Sequence, residues 1–113
     1  MIGIVATLKI KEGSGSDFEA IATQLVEKVN ANEDGVVYYD LYKEDDTTYV
    51  FLERYKDEEA QAEHGKTDYF RELGAQMGPF MAGAPEIRTL QSCLLYTSPS
   101  PRDRSLSRMP SSA

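Results

Sequence analysis

Along Ile2 to Ile10, Ile4, Ala6, Leu8 and Ile10 alternate with Val5, Thr7 and Lys9, a period of two that predicts a β-strand. Past the loop Lys11-Glu12-Gly13-Ser14-Gly15 the period changes. Phe18, Ile21, Ala22, Leu25, Val26 and Val29 fall at i, i+3, i+4, i+7, i+8 and i+11, one apolar stripe of a helix. Ser16 or Asp17 is its expected N-cap, and Asn32-Glu33-Asp34-Gly35 its end. Val36–Lys43 and Thr47–Tyr55 then read as two strands joined at Glu44-Asp45-Asp46 into a hairpin. Asp57 is placed to cap a short helix over Glu58–His64, with acidic residues in its first turn and Gly65 to close it. Thr67 or Asp68 caps another, carrying Phe70, Leu73 and Met77 toward Phe80, which Gly78-Pro79 should break or kink. A turn at Gly83-Ala84-Pro85 leads to a last strand, Glu86–Gln91. The order is βαββααβ: an α+β domain with one antiparallel four-stranded sheet and its helices on one face.

The two middle strands carry large apolar side chains on both faces. Val37, Tyr39 and Leu41 oppose Val36, Tyr38 and Tyr42; Tyr49, Phe51 and Tyr55 oppose Val50 and Leu52. A sheet with helices on one side and water on the other should alternate cleanly. Its second face is therefore expected to meet another sheet, most economically that of a second copy in a homodimer.

The pattern fails from Cys93 onward. Cys93-Leu94-Leu95-Tyr96-Thr97-Ser98-Pro99-Ser100-Pro101-Arg102-Asp103 has neither period, and the Ser/Arg/Pro-rich remainder runs to Ala113. Cys93–Asp103 and Ser107–Ala113 resemble a translated transposase end and adapter of a sequencing library, so residues 93–113 are read as a non-native, disordered tail. A few natural residues beyond Ser92 are expected to be missing. The domain is taken as residues 1–92.

The split alters the charge. The whole chain carries −7; without Arg102, Arg104, Arg108 and Asp103, nine basic and eighteen acidic residues remain, a net charge of −9. So acidic a domain is not expected to bind nucleic acid. No run of 18 apolar residues offers a membrane span, and the first residues lack the basic segment of a signal peptide, so a cytoplasmic location is expected. Cys93 is the only cysteine, leaving the domain no thiol nucleophile, disulfide or cysteine metal site. Glu44-Asp45-Asp46 and Asp57-Glu58-Glu59 lack the spacing of a calcium loop, and the glycines form no phosphate-binding motif.

Few residues are left to carry chemistry. His64 is the sole histidine, at a helix end, either a surface cap or a general acid or base in a pocket. Glu53 shares a strand face with Tyr49, Phe51 and Tyr55. A carboxylate among aromatic rings is either a desolvated base or orienting partner for His64, or one satisfied by a cross-strand cation or a tyrosine hydroxyl. Tyr39 has core-facing parity. Tyr69 could line a pocket mouth, and Phe51, Phe70 and Met77 its wall or plain core.

Val5-Ala6-Thr7-Leu8-Lys9-Ile10-Lys11-Glu12-Gly13, Ala31–Gly35, Leu52–Ala60, Ala62-Glu63-His64, Phe70 and Gly83–Ile87, in this order and spacing, resemble the antibiotic biosynthesis monooxygenase (ABM) family. The resemblance spans essentially all of residues 1–92. It implies a ferredoxin-like fold whose sheets pack face to face in a dimeric α/β barrel. It also implies a pocket between sheet and helices, and oxygenation of small quinol-like or polycyclic phenols by O₂ with no metal or flavin. His64, Glu53 and Tyr39 fall on family motif positions. Tyr69 stands where many relatives have a second histidine, and Tyr55 where many have tryptophan; with no tryptophan at all, haem degradation is not expected. Tyr55–Ala60 with His64 is also similar to the isomerase that degrades the phosphorylated autoinducer-2 signal, which shares the fold and moves protons without oxygen. A non-catalytic ligand-binding dimer is the third reading. Fold alone does not choose among them.

Overall fold

A computed structural model describes residues 1–93. The elements follow the predicted order: β1 (Ile2–Lys9), α1 (Gly15–Asn32), β2 (Val36–Asp45), β3 (Thr48–Tyr55), α2 (Glu58–Lys66), α3 (Asp68–Met77), a 3-10 turn at Gly78–Phe80, and β4 (Glu86–Gln91). The strands form one sheet in the order β2-β3-β1-β4, every pairing antiparallel. With the helices on one face, this is a ferredoxin-like α+β fold. The residues proposed as a foreign tail lie outside the described residues, except Cys93, which is exposed.

The core forms where the two periods meet. From β1, Ile2, Ile4, Ala6 and Leu8 point to the helices; from β3, Tyr49, Phe51 and Tyr55 do the same. Phe18, Ala22, Leu25 and Val29 of α1 lie over them, and Leu73 and Met77 of α3 close the layer. Burying such side chains is worth about 1.5–3 kcal/mol each, so strand parity and helix stripe fix each other.

Local details differ from the pattern reading for identifiable reasons. The first helix begins at Gly15, ahead of Ser16 and Asp17, because Gly13 at φ 83° has already turned the chain, and Phe18 N–H donates to Ser14 O at 2.9 Å. The hairpin turn tightens to Asp46-Thr47, since β2 runs on to Asp45 and Asp45 Oδ1 accepts from Thr47 N–H at 3.0 Å. Gly65 does not close α2: its backbone is not left-handed, and the helix runs to Lys66. Thr67 ends it instead, donating its hydroxyl to His64 O at 2.9 Å while accepting from Phe70 N–H at 3.3 Å as the cap of α3. Gly78-Pro79 does stop α3 at Met77.

The larger correction concerns β2. Val36 pairs with Tyr55 but Tyr38 pairs with Arg54, so Val37 is the extra residue of a β-bulge. The bulge shifts parity: Val36, rather than Val37, packs on the core, and Val37 is 51% exposed. Beyond it Tyr39 faces the helices opposite Glu53, and Leu41 opposite Phe51. On the sheet's other face, Val5, Val50 and Leu52 are only half-buried, while Tyr38, Tyr42 and Leu90 stand exposed.

Candidate functional site

Between the sheet's helix-covered face and the helices α2 and α3 lies a cavity of about 630 Å³. Ile4, Ala6 and Leu8 of β1 form its floor; Leu25, Met77 and Met81 add aliphatic wall. Its polar groups come from three elements: Tyr39 on β2, Glu53 and Tyr55 on β3, and Gln61 and His64 on α2. A space of this size with few convergent polar groups suits a small, mostly apolar ligand.

His64 reaches this wall because Asp57 starts α2 by accepting from Ala60 N–H at 2.8 Å, which sets its last turn over the sheet. The imidazole is 5% exposed, with ring centroids of Phe70, Tyr39 and Tyr55 at 4.6, 5.0 and 5.7 Å. Its Nδ1 lies 3.1 Å from both carboxylate oxygens of Glu33, the residue that ends α1. Tyr69 of α3 donates its hydroxyl to Glu33 Oε2. His64 Nε2 is buried and has no hydrogen-bond partner among the described residues. A buried polar atom without a partner is uncommon and costs about 1–3 kcal/mol.

Glu53 is 8% exposed and accepts from Tyr55 Oη at 2.6 Å, two residues along the same strand face. Burial pushes its carboxyl above the usual range; the Tyr55 hydrogen bond and the His64 ring pull it back only in part. Burial, then the Glu53 charge, pushes the Tyr55 and Tyr39 hydroxyls far up, so both remain donors across ordinary pH. The cavity wall thus combines the His64 imidazole, a carboxyl whose charge is penalised by burial, two phenols and the Gln61 amide. That set can accept a proton from a ligand and hold the resulting anion.

The family model for antibiotic biosynthesis monooxygenases matches residues 1–76. The chain belongs to the ABM family. YcnE of Bacillus subtilis (strain 168), named as a candidate monooxygenase, is 34% identical over 87 residues, covering 75% of this chain and 90% of YcnE. The crystal structure of a candidate ABM protein from Caulobacter crescentus CB15 is 44% identical, with a TM-score of 0.78 over 82% of this chain and 90% of that one. A conserved protein from Methanosarcina mazei Go1 is 25% identical, with a TM-score of 0.75 over 80% and 90% of the respective chains.

Within this ABM domain the structure brings together six of the seven residues singled out from the sequence: His64, Glu53, Tyr39, Phe51, Phe70 and Met77 all line the one cavity. Tyr69 does not. Successive helix residues point about 100° apart, and Phe70 takes the inward direction. Tyr69 instead lines a neighbouring cleft with Glu33, Lys56 and Thr67. Its hydroxyl is pushed up to about 12 by partial burial and the Glu33 hydrogen bond. Of the two readings of Glu53, the structure shows the carboxyl accepting from a tyrosine hydroxyl, and it is Glu33, not Glu53, that lies in hydrogen-bond contact with the imidazole. Glu33 escaped the sequence reading because it sat in a run that already explained itself as a helix end. Gly35 fixes that run in place. A Cβ there would come 2.5 Å from Ala60 Cβ, so the α1–β2 loop presses directly on α2, the helix that carries His64.

Proposed function

We propose that this ABM protein is a homodimeric monooxygenase that needs no metal or organic cofactor and oxygenates a small quinol or phenol. The observation that carries the reading is His64 Nε2, buried and unpartnered at the wall of an apolar cavity that also holds Glu53. In this mechanism Nε2 takes the proton of a substrate hydroxyl. The electron-rich anion then reacts with O₂ directly; one oxygen atom enters the ring and the other leaves as water, so a quinol and O₂ give a hydroxyquinone and water. The substrate supplies all the electrons. The Tyr39 hydroxyl on the same wall stabilises the anion, while the Tyr55 hydroxyl is given to Glu53. The exposed apolar residues of the opposite sheet face, Tyr38, Tyr42 and Leu90, support pairing with a second copy.

The test is enzyme-dependent oxygen uptake with a panel of quinols, beside His64→Ala and a protein-free blank, because quinols also oxidise unaided. An excess that disappears in His64→Ala, with a product that has gained oxygen, is the expected result. A folded protein with no excess overturns the reading. Product formed without oxygen would then point to an isomerase using the same His64 and Glu53, and saturable binding without turnover to a ligand-binding protein.

A further inference from the structure

Three elements converge on one carboxylate. Glu33 ends α1, His64 lies in the last turn of α2, and Tyr69 in the first turn of α3. The Glu33 side chain is only 12% exposed, yet it takes hydrogen bonds from both neighbours. Burying a carboxylate costs stability unless its oxygens are satisfied, and here both are. Because a carboxylate only accepts, the imidazole hydrogen between them belongs to Nδ1. In a neutral ring the other nitrogen then carries a lone pair, and that nitrogen is the unpartnered Nε2. Glu53, the other carboxylate near the ring, is engaged by Tyr55 and does not compete for Nδ1.

We infer that Glu33, itself oriented by Tyr69, is the positioning residue that holds His64 in its Nδ1–H tautomer and leaves Nε2 as a proton acceptor at the cavity wall. The inference rests on the proposed role of His64. It assigns to Glu33, which touches the neighbouring cleft and not the substrate cavity, the part that a buried aspartate plays behind a catalytic histidine. When Nε2 takes a proton, the same carboxylate faces the imidazolium that forms. Tyr69 keeps the carboxylate from rotating away.

The chain has a single histidine, so ring-nitrogen NMR of the ¹⁵N-labelled full chain reports on His64 without assignment. In the neutral ring, Nδ1 should carry the proton and Nε2 should not. Glu33→Leu should move the proton to Nε2, the form free histidine prefers. It should lower kcat of quinol-dependent oxygen uptake by about 10–100-fold while KM stays within about twofold. Glu33→Gln, which keeps an acceptor, should retain the Nδ1–H form and recover part of kcat. A wild-type ring protonated on Nε2 overturns the inference, with no variant needed. So does an unchanged tautomer in Glu33→Leu, or a switched tautomer with unchanged kcat. An Nδ1–H ring in a protein that consumes no oxygen with any quinol would uphold the positioning and refute the oxygenase reading instead.

Discussion

Glu53 sits where its charge is penalised, and that penalty is measurable. Burial raises its folded-state pKa, so the folded domain holds this proton more tightly than the unfolded chain does. The stabilisation from that proton is complete below the ordinary carboxylate value of about 4.3 and is lost as pH rises through the raised one. Glu53→Gln keeps an acceptor for the Tyr55 hydroxyl and removes the charge. Its unfolding midpoint should exceed that of the parent at pH 7, and the difference should close by about pH 4; equal midpoints at both values would show that the carboxylate is not desolvated. Tyr55→Phe removes the hydrogen bond that partly offsets burial, and should destabilise the domain by about 1 kcal/mol in urea denaturation. At this scale the sequence was informative where a residue was odd for its place: Glu53 among aromatics, His64 alone of its kind. It was silent about Glu33, an acidic residue beside another, Asp34, whose role shows only in what the fold brings near.

The elements hold the site by contacts that allow little adjustment. Gly35→Ala would force a methyl into Ala60, and should cost about 1–3 kcal/mol, as overpacking does. Adding Ala60→Gly should return most of that loss, less about 1 kcal/mol for a glycine inside α2. A double-mutant cycle in thermal denaturation checks this, and additivity of the two changes would mean the contact is not what matters. Thr67→Val tests the joint of the two short helices. The hydroxyl serves His64 O and Phe70 N–H together, so its loss should cost about 1 kcal/mol. Element order and type were legible because each period persists over several residues. The bulge at Val37 was not. Val36, Val37 and Tyr38 are all strand formers, and only the pairing with Tyr55 and Arg54 shows which one is extra.

At the scale of the whole molecule the question is what covers the outer sheet face. Leu52 lies on β3, an interior strand of the sheet, paired across to Val5 of β1 and Asp40 of β2, and it is only half-buried. Tyr38, Tyr42 and Leu90 extend the patch toward the sheet edges. Apolar area of this kind on the helix-free face is the feature that the pattern of hydrophobic positions foreshadowed, since β2 and β3 are apolar on both sides. If a second copy covers it, Leu52→Lys places a charge in the middle of a buried contact, a cost an interface cannot absorb without a partner for that charge. Sedimentation should then show a dimer for the parent chain and a folded monomer for the variant. Loss of quinol-dependent oxygen uptake in that monomer would tie the cavity to the dimer, because the substituted residue faces away from His64 and Glu53. A variant that remains dimeric would place the interface elsewhere, and a monomeric parent chain would leave the apolar face for a different partner.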